Sequence, residues 1–283
     1  MLKYPRVWEA RIARAVALMK DRIYTGCARL EVEALQVEGE PVFPVRVPEA
    51  GFQAFRVGER WGKAWGTVWF RFSGVVPAEW SGRNVVALVR LGYDAGEGFT
   101  SEGSVWQEGR ATRAINVNRA DVPVAAVAKG GERVSFLVEA AANPTVKSWA
   151  PYSAAEPVGD GPLFALEQAE LACFDAEAFE LHQDLALAYE AMMTMPQGRG
   201  RWRGRLLRVC NEAVNVLDPE DASTYGAART VLREVLDCKN GDQAHEISAV
   251  GHAHIDTAWL WPLREITGRI EGLRYYRRTA KAV

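Results

Sequence analysis

His252, His254 and Asp256 stand at alternate positions just after a short apolar run, Ile247 to Val250, that stops at Gly251. In an extended backbone successive side chains point to opposite faces, so these three share one face while Ala253 and Ile255 take the other. Imidazole nitrogen and carboxylate oxygen are zinc-type ligands, and catalytic zinc usually takes three protein ligands and keeps a fourth position open. A buried strand that ends in a ligand-bearing loop is the pattern of an α/β active site, which sits at the carboxyl ends of parallel strands. Histidines at a strand end also serve simply as hydrogen-bonding groups to backbone, and an isolated His-x-His motif decides nothing. Here an acid follows two residues on, and then Trp259 and Trp261 supply flat apolar faces of the kind that stack on sugar rings.

The continuous run Gly251-His252-Ala253-His254-Ile255-Asp256-Thr257-Ala258-Trp259-Leu260-Trp261-Pro262 resembles the opening catalytic motif of the family 38 glycoside hydrolases, the class II α-mannosidases. The resemblance implies that His254 and Asp256 bind zinc, that Trp259 lines the sugar site, and that His252 lies close to the substrate without being a settled ligand. It implies a metal that grips hydroxyls of the mannose ring while carboxylates perform the bond chemistry. Zn²⁺ is the expected ion, with other divalent metals left open, and a mannose-containing oligosaccharide is the expected partner.

The chain has 283 residues, 48% hydrophobic and 25% charged, with a formal net charge of −2. That is an ordinary soluble composition, long enough for one large domain or two modest ones. Basic residues are not gathered into a phosphate-tracking surface, so nucleic acid is not an expected partner. The four cysteines, Cys27, Cys173, Cys210 and Cys238, have no metal-site or redox spacing and read as reduced thiols of a cytoplasmic protein. Charges at Lys3, Arg6, Glu9, Arg11 and Arg14 leave no apolar leader segment. No run of about 18 apolar residues occurs, so neither secretion nor membrane insertion is expected.

The elements that would position the motif follow in order. Trp8, Ile12, Ala15, Val16, Met19 and Ile23 recur at helical spacing over residues 3 to 24, predicting an amphipathic helix whose stripe docks on the next domain. From Cys27 to about Glu170 the period changes to that of strands. Gly66–Phe72, Asn84–Arg90 and Arg133–Val138 are rich in β-branched and aromatic residues, with turn clusters at Glu38–Pro41, Trp80–Arg83 and Lys129–Glu132, a pattern of jelly-roll type. This stretch also resembles, less specifically, the amino-terminal β-domain of the cytosolic and bacterial branch of the same mannosidases. Tyr93 to Gln107 reads either as a carbohydrate-contacting loop or as a glycine-punctuated hairpin with one core tryptophan. Trp61, Trp65 and Trp69 read as packing residues. Asn143 to Pro162, with four prolines, reads as an irregular excursion packed by Trp149 and Tyr152, and Leu163 to Cys173 as a closing strand.

Helical periodicity then returns over residues 175 to 240. Asp175 is the predicted N-cap of a helix with the stripe Ala178, Leu181, Leu185, Ala188 and Met192. A second helix carries Leu206, Cys210, Val214 and Leu217, and a third carries Tyr225, Ala228, Leu232, Val235 and Leu236 and stops at Asn240-Gly241. Arg199, Arg201, Arg203, Arg205 and Arg208 read as a solvated charge run without a ligand, and His182 and His245 as structural or solvent-facing groups. After the motif, Leu263, Ile266, Ile270 and Leu273 mark a further amphipathic helix.

The expected fold is thus α+β and multidomain: an amino-terminal helix at 1–25, a jelly-roll-like β-sandwich at 26–173, a small helical bundle at 174–243, and the first βα unit of a truncated parallel α/β barrel at 244–283. A retaining glycosidase needs two carboxylates about 5 Å apart, and the resemblance puts both, with the remaining zinc ligands, beyond Val283. The expectation is an amino-terminal part of an α-mannosidase, truncated or a gene fragment, inactive alone, with homo-oligomerisation open for the full-length enzyme. Two other readings stand beside it: an amidohydrolase-like barrel fragment using His252 and His254 as the metal pair, and a non-enzymatic carbohydrate-binding sandwich.

Overall fold

The structure is a computed structural model and describes residues 5–37, 48–92, 100–143, 161–195, 201–239 and 248–249. The described residues divide into two compact units, a β unit over residues 27–172 and a helical unit drawn from residues up to 26 and from 173 onward. Residues 250–283, including the expected barrel start, lie outside the described residues.

The strands are β1 (Tyr24–Arg29), β2 (Glu31–Gln36), β3 (Gln53–Phe55), β4 (Arg60–Trp61), β5 (Thr67–Val75), β6 (Val85–Arg90), β7 (Glu102–Gln107), β8 (Arg110–Ile115), β9 (Asp121–Ala125), β10 (Arg133–Ala141), β11 (Phe164–Ala165) and β12 (Gln168–Phe174). They form a six-stranded sheet in the order β3-β2-β5-β10-β7-β8, a four-stranded sheet β1-β12-β6-β9, and a two-stranded ribbon β11-β4. Such crossover orders are those of a sandwich, in which two sheets bury their inner faces against each other. At the centre, β5 and β10 pair antiparallel from Arg133↔Val75 to Ala141↔Thr67. Side chains alternate across a strand, so Phe70 and Phe72 go inward with Phe136 and Val138, all at most 3% exposed. Phe72 stacks on Phe136 at 5.2 Å. Each such ring contributes about 1.5–3 kcal/mol by leaving water.

The predicted strands are therefore present, with one difference. Leu163 to Cys173 is two strands rather than one: Leu166 N–H donates to Glu59 and Glu167 N–H to the Arg90 carbonyl, and the chain changes partner between β11 and β12. The turns expected at Trp80–Arg83 and Lys129–Glu132 fall between β5 and β6 and between β9 and β10. The Glu38–Pro41 cluster lies outside the described residues.

The helical unit contains α1 (Pro5–Arg22), α2 (Ala176–Thr194), α3 (Arg201–Val216) and α4 (Tyr225–Leu236). The Asp175 carboxylate accepts from the Ala178 N–H at 2.9 Å and starts α2. Ala178, Leu181, Leu185, Ala188 and Met192 are its buried residues, the set expected from spacing. The stripe on α1 corrects its expected role: Ile12, Ala15 and Met19 belong to one core with Leu181, Leu185, Leu207, Cys210 and Leu232. It docks on helices more than 150 residues later in sequence, so that the bundle has four helices among the described residues. α1 ends at Arg22, and Tyr24 already belongs to β1. α4 ends at Leu236, short of Asn240-Gly241, with the Asp237 N–H bonded to the Arg233 carbonyl. No helix among the described residues is long and apolar enough to cross a membrane.

Gly92, after β6, has φ +89, and a Cβ placed there would lie 2.2 Å from the Ala165 carbonyl oxygen. Gly109, in the turn between β7 and β8, has φ +74 but open space around it. Strain acts at both sites, overpacking only at the first. Gly92→Ala is expected to destabilise the β unit by about 2–5 kcal/mol, and Gly109→Ala by about 1 kcal/mol. Urea unfolding of the two variants checks this; equal losses would show that the close approach to Ala165 does not constrain the sheet.

Candidate functional site

All four residues singled out for metal and substrate, His252, His254, Asp256 and Trp259, lie outside the described residues, as do His245, Arg199, Trp149, Tyr152 and residues 93–99 of the glycine-rich stretch. Among the described residues no group of three or more His, Cys, Asp or Glu side chains comes together to hold a metal.

The three recurrent tryptophans take three different environments. Trp61 is 3% exposed, packs edge-on to Phe70 at 5.3 Å, and its indole N–H donates to the Leu91 carbonyl at 2.7 Å. A buried indole needs such an acceptor. Trp65 sits in the turn before β5 with φ +62, a conformation that costs a bulky residue energy. It is held there by its N–H on the Ala142 carbonyl at 2.9 Å. Trp69 follows Val68 and precedes Phe70 on β5, so it faces away from the core those two residues build. There it is 4% exposed and lies 5.7 Å from Trp106.

That outer face of the six-stranded sheet is amphipathic. Arg71 donates to Glu33 at 3.1 Å and lies over the Phe52 ring at 3.9 Å, a geometry that adds cation–π attraction to the ion pair. The stretch expected either to contact sugar or to form a hairpin contributes β7, which pairs with β8 through a bulge between Val105 and Trp106. Over Glu102–Gln107 the hairpin is what forms, and Gly103 is required by packing, since a Cβ there would lie 2.6 Å from Val138.

Three arginines of the run are paired inside the helical unit. Arg203 donates to Glu9 at 2.6 Å with both side chains largely buried. Arg205 reaches Glu234 at 3.0 Å, and Arg208 bridges Glu212 and Glu234. Hydrogen bonds from Arg205 and then Arg208 hold the Glu234 carboxyl below the usual carboxylate range. These guanidinium groups are matched by acids and do not form an anion site. The Arg208–Glu212 pair is four residues apart and readable from spacing; Glu9 and Glu234 are not. Burial pushes the half-buried His182 imidazole below its ordinary value, so at neutral pH it is an uncharged packing group.

No disulfide joins the four cysteines. Burial pushes the Cys210 thiol up to about 12. Cys27 is exposed, yet its S–H donates to the Glu170 carboxylate, which raises its pKa first through that bond, then through partial burial and the neighbouring negative charge.

The sequence profile of a family described as "Alpha-mannosidase, jelly roll domain" matches residues 27–172, the β unit just described. The chain is 30% identical to Alpha-mannosidase 2C1 of Mus musculus over 91% of its own length and 25% of that protein. It is 24% identical to Alpha-mannosidase G of Dictyostelium discoideum over 92% of its own length and 24% of that protein. It thus spans about a quarter of the length of the relatives it matches. Among solved structures, a Ruminococcus gnavus β-glucuronidase overlaps 53% of the chain and 29% of its own, at 15% identity and a TM-score of 0.32.

The thiols provide a direct test of the local electrostatics. In the native protein at pH 8, iodoacetamide should leave Cys210 unlabelled and modify Cys27 more slowly than an unperturbed exposed thiol, because a raised pKa leaves less thiolate. Glu170→Gln should speed Cys27 labelling several-fold. Peptide mass spectrometry resolves the two sites, and an unchanged Cys27 rate in the variant would exclude the carboxylate as the cause.

Proposed function

Because the chain belongs to the α-mannosidase family, whose jelly-roll domain it carries at residues 27–172, we propose that it is the amino-terminal part of a zinc-dependent, retaining α-mannosidase acting on mannose-containing oligosaccharides. The observation that supports this most is that the match over the β unit and the motif at residues 251–262 point to one family, although they share no residue. The family membership also weighs against the amidohydrolase reading, in which His252 and His254 would be the metal pair.

His254 and Asp256 are the residues proposed to hold zinc. The donor set fits the ion: an imidazole and a carboxylate are both zinc ligands, and the carboxylate offsets part of its charge. The chemistry the ion supplies when bound is polarisation and positioning of sugar hydroxyls. His252, two residues upstream, orients the ligands or the substrate by hydrogen bonding, and Trp259 stacks on the apolar face of a sugar ring. The nucleophile and acid/base carboxylates that a retaining mechanism needs are assigned to the part of the relatives' length that these 283 residues do not span. The proposal includes a cytoplasmic location, in keeping with thiols outside disulfides, and leaves homo-oligomerisation to the full-length enzyme.

Two outcomes test it. The 283-residue chain with zinc should release no aryl alcohol from an aryl α-mannoside above a blank, and turnover would overthrow the assignment of the carboxylates. In the full-length enzyme, Asp256→Ala should lose zinc and activity together. His252→Ala should lose only about 10–100-fold in either. Trp259→Ala should keep its metal and bind substrate more weakly by about 1 kcal/mol. Metal analysis beside turnover separates the cases: loss of zinc from His252→Ala with retention in Asp256→Ala would transfer the metal to the histidine pair.

A further inference from the structure

α2 is apolar on both of its sides. Ala178, Leu181, Leu185, Ala188 and Met192 turn into the bundle, and a surface helix ordinarily carries polar residues opposite such a stripe. Here Phe179, Leu187 and Met193 are 37%, 60% and 46% exposed instead. Phe179, Ala186 and Met193 recur every seven positions, close to two whole turns, and so line one side of the helix with Leu187 next to them. The stripe runs about 21 Å from Phe179 to Met193. The Phe174 ring adjoins it, 5.6 Å from Phe179 and 5.8 Å from Tyr24. Gln183 and Glu190 are exposed on the same side, whereas Glu180 and Asp184 are held by Arg229.

The size of this stripe and the course of the chain select what covers it. Two copies meeting through one helix each would fall short of the about 800 Å² per partner of a stable complex. So small a surface is covered readily only by a partner at high effective concentration, which a short covalent tether raises to about millimolar. α4 ends at Leu236, and the motif at residues 251–262 follows in the same chain. The chain itself spans about a quarter of the length of its relatives. In a longer α-mannosidase, the polypeptide that bears the motif and continues beyond it is thus tethered to the bundle. Covering the stripe also takes Glu190 out of water, which requires a counter-charge opposite it. Resting on the proposed function, we infer that the outward side of α2 is the seat on which the catalytic part of the longer enzyme packs, through an apolar surface with a lysine or arginine opposite Glu190.

Methionine oxidation reads the cover directly. With dilute hydrogen peroxide, Met193 should oxidise readily in the 283-residue chain and about tenfold more slowly in the longer enzyme, with the buried Met192 slow in both. Leu187→Glu and Glu190→Lys should restore Met193 oxidation in the longer enzyme. Both should leave the urea midpoint of the 283-residue chain unchanged, because these side chains face solvent there. Equal Met193 rates in the 283-residue chain and in a longer enzyme that hydrolyses an aryl α-mannoside would overturn the inference alone. A longer enzyme that folds but hydrolyses no α-mannoside would remove the proposed function, and the inference with it. Concentration-dependent self-association of the 283-residue chain, abolished by Leu187→Glu, would overturn the inference in favour of a second copy.

Discussion

The antiparallel ladder between β5 and β10 is the constraint on which the β unit depends. It runs unbroken from Arg133↔Val75 to Ala141↔Thr67, and the strict alternation of side chains gives every flanking strand its inside and outside. Once Phe70, Phe72, Phe136 and Val138 face inward, β2 must present Val32 to them and Glu33 to the other side, as the Val32↔Phe72 and Glu33↔Arg71 pairings require. A one-residue slip would exchange these two sets and bury Arg71. The same parity separates Phe70 in the core from Trp69 on the outer face and matches Trp69 with Trp106 across the sheet.

The helical unit depends on a contact of a different kind. α1 comes from the start of the chain and its partners from beyond residue 173, so the core formed by Ile12, Met19, Leu185, Leu207 and Leu232 is built from segments that flank the β unit in sequence. Two arginines, one on each helix, tie α1 to α3. Arg203 meets Glu9 with little exposure on either side, and Arg11 reaches back to Asn211 at 3.1 Å. Breaking one partner of a largely buried ion pair leaves the other charge stranded, which costs far more than the pair contributes over apolar packing. Such ties specify which helix faces which.

Both units put their charges to structural use. Arg203, Arg205 and Arg208 are paired with acids of their own bundle, and on the outer sheet face Glu33 is paired with Arg71. In the proposed function, chemistry on a mannoside is assigned to the motif at residues 251–262 and to the longer enzyme.

Much of this protein is determined locally and can be read from the sequence. The α2 stripe from Ala178 to Met192 and its Asp175 cap are consequences of 3.6-residue spacing and of one side chain bonding three residues ahead. The strands over Thr67–Val75 and Arg133–Ala141 follow from runs of β-branched and aromatic residues between glycine turns. His252, His254, Asp256 and Trp259 are proposed for metal and sugar chemistry on ligand type and spacing alone, and they lie outside the described residues. Tertiary structure alone decided the rest: the partner of the α1 stripe, the pairing of Arg203 with Glu9 across a separation of 194 residues, and the break between β11 and β12 at Leu166, whose N–H turns to Glu59. It also decided which of Trp61, Trp65 and Trp69 entered the core. Each of these depends on a group far away in sequence, and neither periodicity nor propensity carries a trace of where a distant segment will lie.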